Sequence, residues 1–530
     1  MTATLDRPAA VVEPSTWRDR MMPLVSGRGG WGVTFFITLI AGLLRFIRLN
    51  EPVSSIDDKG VVTSPFRMFD EVYYSCDAQN LLHHGVERAV VDQMTCVPKV
   101  PAEGAFVVHP PLGKWMIALG EQVMGVNTWG WRVAAALFGT LTVLLVVRIG
   151  RRMTGSTLLG GLAGLLLALD GLHFVQSRIA MVDVFLCFWV VAAFGALVVD
   201  RDQVRHRLAQ RSDEELAVLT GVGFRPWQLL AGVCFGAALA TKWSALFPVV
   251  VMLVLALCWE VGARRTAGIR APWRTTLRRT SISFLFVLVV VPVAVYVATW
   301  TGWFVTNVGY DRTWAKTHPT SWKLADPTVW PFLPDALRSW LQYHYEAFHF
   351  HDTLTAGHPY QSHALSWPFL GRPISYYYPP NIKQGIYGCK VAACSREVLA
   401  IGTPAVWWMM IPAAIGLSAR WISRRDWRAS SLLLLMAVSI LAWVPSDLKD
   451  RTMFLFYALP AVPFLCLALA LLAGWLLGKA GTFRRTAASA GLGVYVSLVI
   501  VNFAFLYPVL AGVTIPYKEW LARMWFHSWI

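Results

Sequence analysis

The chain has 530 residues, 56% hydrophobic and 15% charged, with a mean hydropathy of +0.50. Soluble domains carry roughly 25% charged residues, so the composition excludes a cytosolic enzyme and predicts an all-α polytopic membrane protein. The net charge of +16 sits in short pieces between apolar runs, which fits topology-fixing loops and argues against nucleic acid as a partner.

Residues 1–30 are polar and Pro-containing and predict a mobile cytoplasmic N-terminus. Trp31 opens the first apolar run, which reads as an uncleaved signal anchor. About eleven spans follow, near 31–49, 130–150, 157–175, 178–199, 226–242, 244–262, 280–303, 403–420, 429–446, 452–478 and 486–511. Each approaches the ~20 residues a helix needs to cross ~30 Å of hydrocarbon. Backbone groups in lipid must pair internally, so helices are expected for all of them.

Arginine sets the orientation. Arg7, Arg18, Arg20 and Arg28, then "RIGRR" (148–152), "RDQVRHRLAQR" (201–211), "RRTAGIRAPWRTTLRR" (264–279), "RWISRRDWR" (420–428) and "GKAGTFRR" (478–485), share one side if there are eleven crossings. That side is the cytoplasm by the positive-inside rule, and the C-terminus is external. Three parts follow: an N-terminal membrane module, 31–303, carrying the candidate catalytic acids and an external loop at 50–129; a second external loop, 304–402; and a C-terminal membrane module, 403–530. Both loops are rich in Trp, Tyr, His and Pro and should pack at the membrane surface. In "HPPLGKWMIALGEQVMG" (109–125), Leu112, Trp115, Met116, Leu119 and Val123 have helical spacing and predict an interfacial helix.

Of eight cysteines, Cys187, Cys234, Cys258 and Cys466 lie in spans, and Cys76, Cys96, Cys389 and Cys394 lie outside, where disulfides form. "CKVAAC" predicts a Cys389–Cys394 disulfide; no second pair accompanies it, so no zinc site is assigned.

The unusual polar groups gather on the outer side. Asp70 and Glu71 follow the first span; His109, Lys114 and Arg132 come from the first loop and the start of span two. Arg178 and Asp183 stand at the outer end of span four, Lys242 in the turn between spans five and six, and Lys449 and Arg451 before span ten. Carboxylates beside several cations at membrane depth suit transfer from a lipid phosphate to an alcohol: cations hold the leaving phosphate, and a carboxylate takes the hydroxyl proton. Taken singly, the same residues also fit solvated acids, snorkelling cations, or Asp183 as a structural partner of Arg178. In "WLQYHYEAFHFHDTLTAGHPYQSHALSWPF" (340–369), five histidines crowd at spacings that make a poor metal-ligand pattern, so metal is read as none. They suit either a folded loop or hydrogen bonding to sugar or acceptor peptide.

The ordered motifs resemble the protein O-mannosyltransferase family, which has the GT-C membrane glycosyltransferase fold. "FDEVYY" resembles its aromatic-Asp-Glu signature and "HPPLGKWMI" its His-Pro-Pro-x-x-Lys element. "SRIAMVD" and "TKWSALF" resemble the elements around helices four to six, and "HPYQSHALSWP", "IGTPAVWW" and "RTMFLFYALPAVPF" the later motifs. An extra "SSIDDKGVVTS" (54–64) departs from the pattern. The second loop is too short for the β-trefoil MIR domain of eukaryotic members, which implies a bacterial member in the plasma membrane.

The resemblance implies a polyprenyl-phosphate-mannose donor and Ser or Thr acceptors on exported proteins, with inversion at C1 and the active site on the external face. It implies Asp70 as base and Glu71 as orienter of acceptor or base. Arg132, Arg178, Lys242 and Arg451, with His109 and Lys114, would bind donor phosphate or sugar. His349, His358, Tyr360 and Ser362 would form an acceptor or sugar-binding loop. A divalent cation stays open as cofactor, as does the Sec translocon as partner. The alternatives are an arabinosyl- or aminoarabinosyltransferase of the same fold, and a transporter or flippase. The last needs polar sites near the midplane, where most of these spans are apolar.

Overall fold

The computed structural model describes residues 16–24, 29–57, 62–217, 221–318, 332–380, 382–478 and 481–530. All the apolar runs read from the sequence fall on helices. Among the described residues seven helices are long and apolar enough to cross a membrane: Thr128–Thr154, Asp183–Ala209, Trp243–Thr266, Pro272–Thr299, Pro404–Arg424, Trp427–Asp447 and Phe483–Leu510. Four shorter apolar helices join them: Trp31–Phe46, Thr157–Ala168, Pro226–Leu239 and Ala461–Leu477.

In the N-terminal half the helices are α1 (Trp31–Phe46), α2 (Glu71–His84), α3 (Leu112–Met124), α4 (Thr128–Thr154), α5 (Thr157–Ala168), α6 (Gly171–Gln176) and α7 (Asp183–Ala209). Local chemistry sets their ends. The Asn127 side chain accepts hydrogen bonds from the first amides of α4, and Gly155 ends it at φ 74°, a conformation glycine adopts at no steric cost. Ser156 then caps α5, so a two-residue turn reverses the chain. The run expected at 157–175 is not one helix. It breaks at Asp170, whose carboxylate caps α6 through the His173 amide and also accepts from Trp407 Nε1 at 2.7 Å. That bond ties the first half of the chain to the "IGTPAVWW" segment of the second.

α3 is the single helix its apolar spacing predicts; it packs on α2 and α4, burying Met116 and Ile117, while Leu119 and Val123 of the expected apolar stripe are exposed. Its contact with α4 is close: a Cβ at Gly120 would fall 2.4 Å from the Gly130 carbonyl oxygen. The helix Pro272–Thr299 lies at the periphery, with 11% of its most apolar stretch buried.

The chain is not purely helical. The two long loops carry short antiparallel pairs, Val90–Asp92 with Val97–Pro98 and Ile374–Tyr377 with Val398–Ala400. Ala393–Ser395 pairs with Ile382–Lys383 and with Ile515–Pro516, drawing the C-terminal segment onto the second loop. These strands use β-branched and aromatic residues in segments too short for the apolar pattern to register. Of the N-terminal stretch read as mobile, residues 1–15 and 25–28 lie outside the described residues. Within the described part, Arg18 donates to the carbonyls of Ala209 and Arg211 and pairs with Asp213, so this piece packs against the end of α7.

Candidate active site

The site is built around the first turn of α2. Phe69 takes a left-handed φ of 49°, and its ring packs among Tyr376, Phe454 and Phe456. That packing fixes the next residue, Asp70, half-buried at the start of α2. Asp70, Tyr74 and Asp77 follow at helical i, i+4, i+7 spacing, and all three line one cavity of about 1310 Å³. The Asp70 carboxyl is raised to about pKa 6, chiefly by burial and in smaller part by Asp183, with Lys242 and a hydrogen bond from Tyr74 opposing. A carboxylate so tuned is ionised at neutral pH yet more basic than usual, as a general base requires.

Glu71 comes next on the helix, about 100° round the axis, and faces the bundle. Its two oxygens accept Arg132 Nε at 2.8 Å and Nη2 at 2.9 Å, plus the amides of Met68 and Ala180. Both side chains are fully buried. Every strong acceptor position is taken, so Glu71 has none left to orient an acceptor. Arg132 also donates to the carbonyls of Leu49 and Glu51 and does not line the cavity. The expected phosphate role for Arg132 is therefore replaced by a structural one: the pair clamps α2 to α4.

Arg178 is also placed elsewhere. Its guanidinium donates to the carbonyls of Leu44, Arg45, Ile47 and Arg48. These include the orphan carbonyls at the C-terminus of α1, which a cation satisfies well. Asp183 is not its partner; it bonds Lys242 Nζ at 2.8 Å.

Of the six residues expected to bind donor phosphate or sugar, four line the cavity: Lys242, Arg451, His109 and Lys114. Lys242 stands over the ring of Tyr457 at 4.7 Å. Arg451 Nε donates to the His351 carbonyl at 2.6 Å, and no carboxylate pairs with it among the described residues. His109 stacks on His351 at 5.2 Å. Burial, reinforced by Lys242, holds His109 well below the usual imidazole pKa, and burial takes His351 down to about 4, so both are neutral. Lys114 is buried against Glu87 at 2.6 Å and Asp77 at 3.8 Å. Burial lifts Asp77 to about 7, with Lys114 opposing and Glu87 adding to the rise. Lys114's charge is thus largely spent on two carboxyls.

The helix Asp335–Thr353 forms one wall of the cavity through Leu337, Trp340, His344, Phe348 and His351. His344 is locked in one tautomer: Nδ1–H donates to the Trp340 carbonyl, and Nε2 accepts from Tyr296, whose oxygen in turn accepts from Trp243 Nε1. His349 is exposed and stacks on Tyr345, away from the cavity. His358 touches the cavity-lining rings of Phe69 and Phe454 edge-on. Tyr360 packs under Arg372, and Ser362 accepts from Trp367 Nε1 in the core. Those two support the loop's fold and do not reach the cavity. Cys389 and Cys394 are joined by a disulfide, and so are Cys76 and Cys96, which fastens α2 to the hairpin at 90–98. Among the described residues no three His, Cys, Asp or Glu side chains are grouped to hold a metal ion.

From the sequence, Tyr73 and Tyr74 are expected to pack on membrane or sugar, and both line the cavity, with Tyr74 one helical turn from Asp70. Arg88, Trp243 and Tyr457 also line it, and no local pattern points to them.

The chain is similar to known proteins in sequence and fold. The model of dolichyl-phosphate-mannose-protein mannosyltransferases matches residues 100–306, and that of the C-terminal four-transmembrane region of protein O-mannosyltransferases matches 336–529. A Mycobacterium tuberculosis protein named polyprenol-phosphate-mannose–protein mannosyltransferase is 40% identical over 99% of this chain and 97% of its own length. The chain belongs to the protein O-mannosyltransferase family. A Corynebacterium glutamicum protein of the same name is 33% identical over 87% of this chain and 88% of its own. The fold matches the S. cerevisiae protein O-mannosyltransferase Pmt1-Pmt2 complex bound to the sugar donor, with TM-score 0.68, 14% identity, and coverage of 94% of this chain and 92% of that one. The chain is therefore a multi-pass membrane glycosyltransferase with a GT-C-like helical fold.

Proposed function

We propose that this chain transfers mannose from a polyprenyl-phosphate-mannose to Ser or Thr hydroxyls of exported proteins. The observation that carries this reading is the meeting of Asp70 with Lys242 and with Arg451, which has no ion-pair partner among the described residues, in one cavity. One wall of that cavity is the peripheral apolar helix Pro272–Thr299, which suits a lipid-borne substrate. Asp70 takes the proton of the acceptor hydroxyl as its oxygen attacks C1. The C1–O bond to phosphate breaks on the opposite face, and the electron pair leaves with the polyprenyl phosphate. A single displacement inverts the anomeric centre. Arg451, with Lys242 beside it, balances the charge gathering on the leaving phosphate. Glu71, Arg132 and Arg178 act from behind by fixing α2, α4 and the end of α1.

The arginine-rich ends support eleven crossings, with the N-terminus cytoplasmic, the C-terminus external and the cavity on the external face of a bacterial plasma membrane. Delivery of acceptor chains from the Sec translocon fits that orientation. The test is to incubate the purified, reconstituted chain with polyprenyl-phosphate-mannose and a Ser/Thr-rich peptide. Mannosylated peptide is expected. Transfer to lipid or glycan alone, or substrate passage with no product, would contradict the reading.

A further inference from the structure

At the end of the bundle opposite the cavity, the structural arginines are paired one by one. Arg264 bonds Glu260, Arg225 joins Asp200 to Glu260, Arg152 and Arg201 share Asp202, and Arg428 holds Asp426. Within the single stretch 265–279, five arginines stand apart: Arg265, Arg270, Arg274, Arg278 and Arg279 are exposed, and none has a side-chain partner among the described residues. No acid occurs between Glu260 and Asp311 that could pair with them. Arg265 and Arg270 precede the helix Pro272–Thr299 and the other three lie in its first turns, where Trp273, Leu277 and Ile282 are exposed by 48%, 53% and 83%.

Like charges gathered without a counter-charge repel each other. Guanidinium forks match phosphate oxygens two at a time. Exposed Trp273 and Leu277 among these arginines, and Ile282 just beyond them, match the interface and the acyl region beneath a headgroup. The one ligand class that satisfies both halves is a phospholipid whose phosphate has no compensating ammonium. We propose that residues 265–279 bind an anionic phospholipid in the leaflet at this end of the bundle. The site anchors the helix whose other half walls the cavity through Pro292, Val293, Tyr296 and Val297, so occupancy steadies the cavity from the far side of the membrane.

Native mass spectrometry of the full chain, released from nanodiscs of phosphatidylcholine with or without phosphatidylglycerol, tests this. The wild type should retain phosphatidylglycerol in preference to phosphatidylcholine. A basic residue near an anionic surface is worth roughly fivefold in affinity, so R274Q/R278Q/R279Q should lose about a hundredfold. Millimolar inorganic phosphate should not displace the lipid. Equal retention by wild type and triple variant, or equal retention of the two lipids by the wild type, overturns the proposal. Displacement by inorganic phosphate overturns it too, making the cluster a free-anion site. Should the triple variant fail to fold, R278Q alone is read, with an expected loss of about fivefold.

Discussion

Lys242 and Asp183 form an ion pair at 2.8 Å, and the two charges act on Asp70 in opposite senses: Lys242 lowers its pKa and Asp183 raises it. The pair therefore tunes the proposed base through its field. Removing the acid removes one source of the upward shift and frees the lysine's field, and both changes stabilise ionised Asp70. With Asp183→Asn, the acid limb of kcat/KM should move below the value of about 6 expected of the wild type. A pH–rate profile checks this; a limb that stays put or moves upward contradicts it.

Tyr74 gives the opposite sign. Its hydroxyl donates to Asp70 and lowers that carboxyl's pKa. Tyr74→Phe deletes the donor while keeping the ring, so the acid limb should move above about 6 and activity should fall most at mildly acidic pH. The same profile reads it, and the two variants moving in the same direction would sink the assignment of Asp70 as the titrating group.

Much of this was legible in the sequence. Runs of apolar residues marked the helices because lipid leaves the backbone no other way to pair. Asp70, Lys242, Arg451, His109 and Lys114 were legible as a group because their order along alternating spans puts them at one end of the bundle. What the order does not give is the direction of a side chain. Asp70 and Glu71 are neighbours, yet the helix turns one to the cavity and the other to Arg132. Arg178 sits at the expected end, but the carbonyls closing α1 claim it. Tyr457 and Trp243 reach the cavity only through tertiary packing, which no local spacing encodes.

The Glu71–Arg132 pair makes the distinction measurable. Removing one partner of a fully buried, hydrogen-bonded ion pair costs about 3–5 kcal/mol because the other charge is stranded. Arg132→Ala should therefore depress thermal stability and the yield of inserted protein. A variant of wild-type stability with only a raised KM for the donor would return Arg132 to phosphate binding.

Arg451→Ala should behave differently. The guanidinium lines the cavity with no carboxylate partner among the described residues. Its loss should weaken donor binding and turnover together, by roughly tenfold or more for a charge-assisted contact. Binding of a non-transferable polyprenyl-phosphate sugar separates the two; unchanged affinity would place the phosphate elsewhere.

The central claim is that Asp70 is the base. Asp70→Asn keeps the shape and removes the proton acceptor. General-base catalysis contributes typically ~10²–10⁴-fold. Single-turnover mannosyl transfer at saturating donor, by folded and reconstituted D70N, should fall by about that factor while donor affinity changes little. Near-normal transfer by D70N under those conditions would contradict the account at its centre.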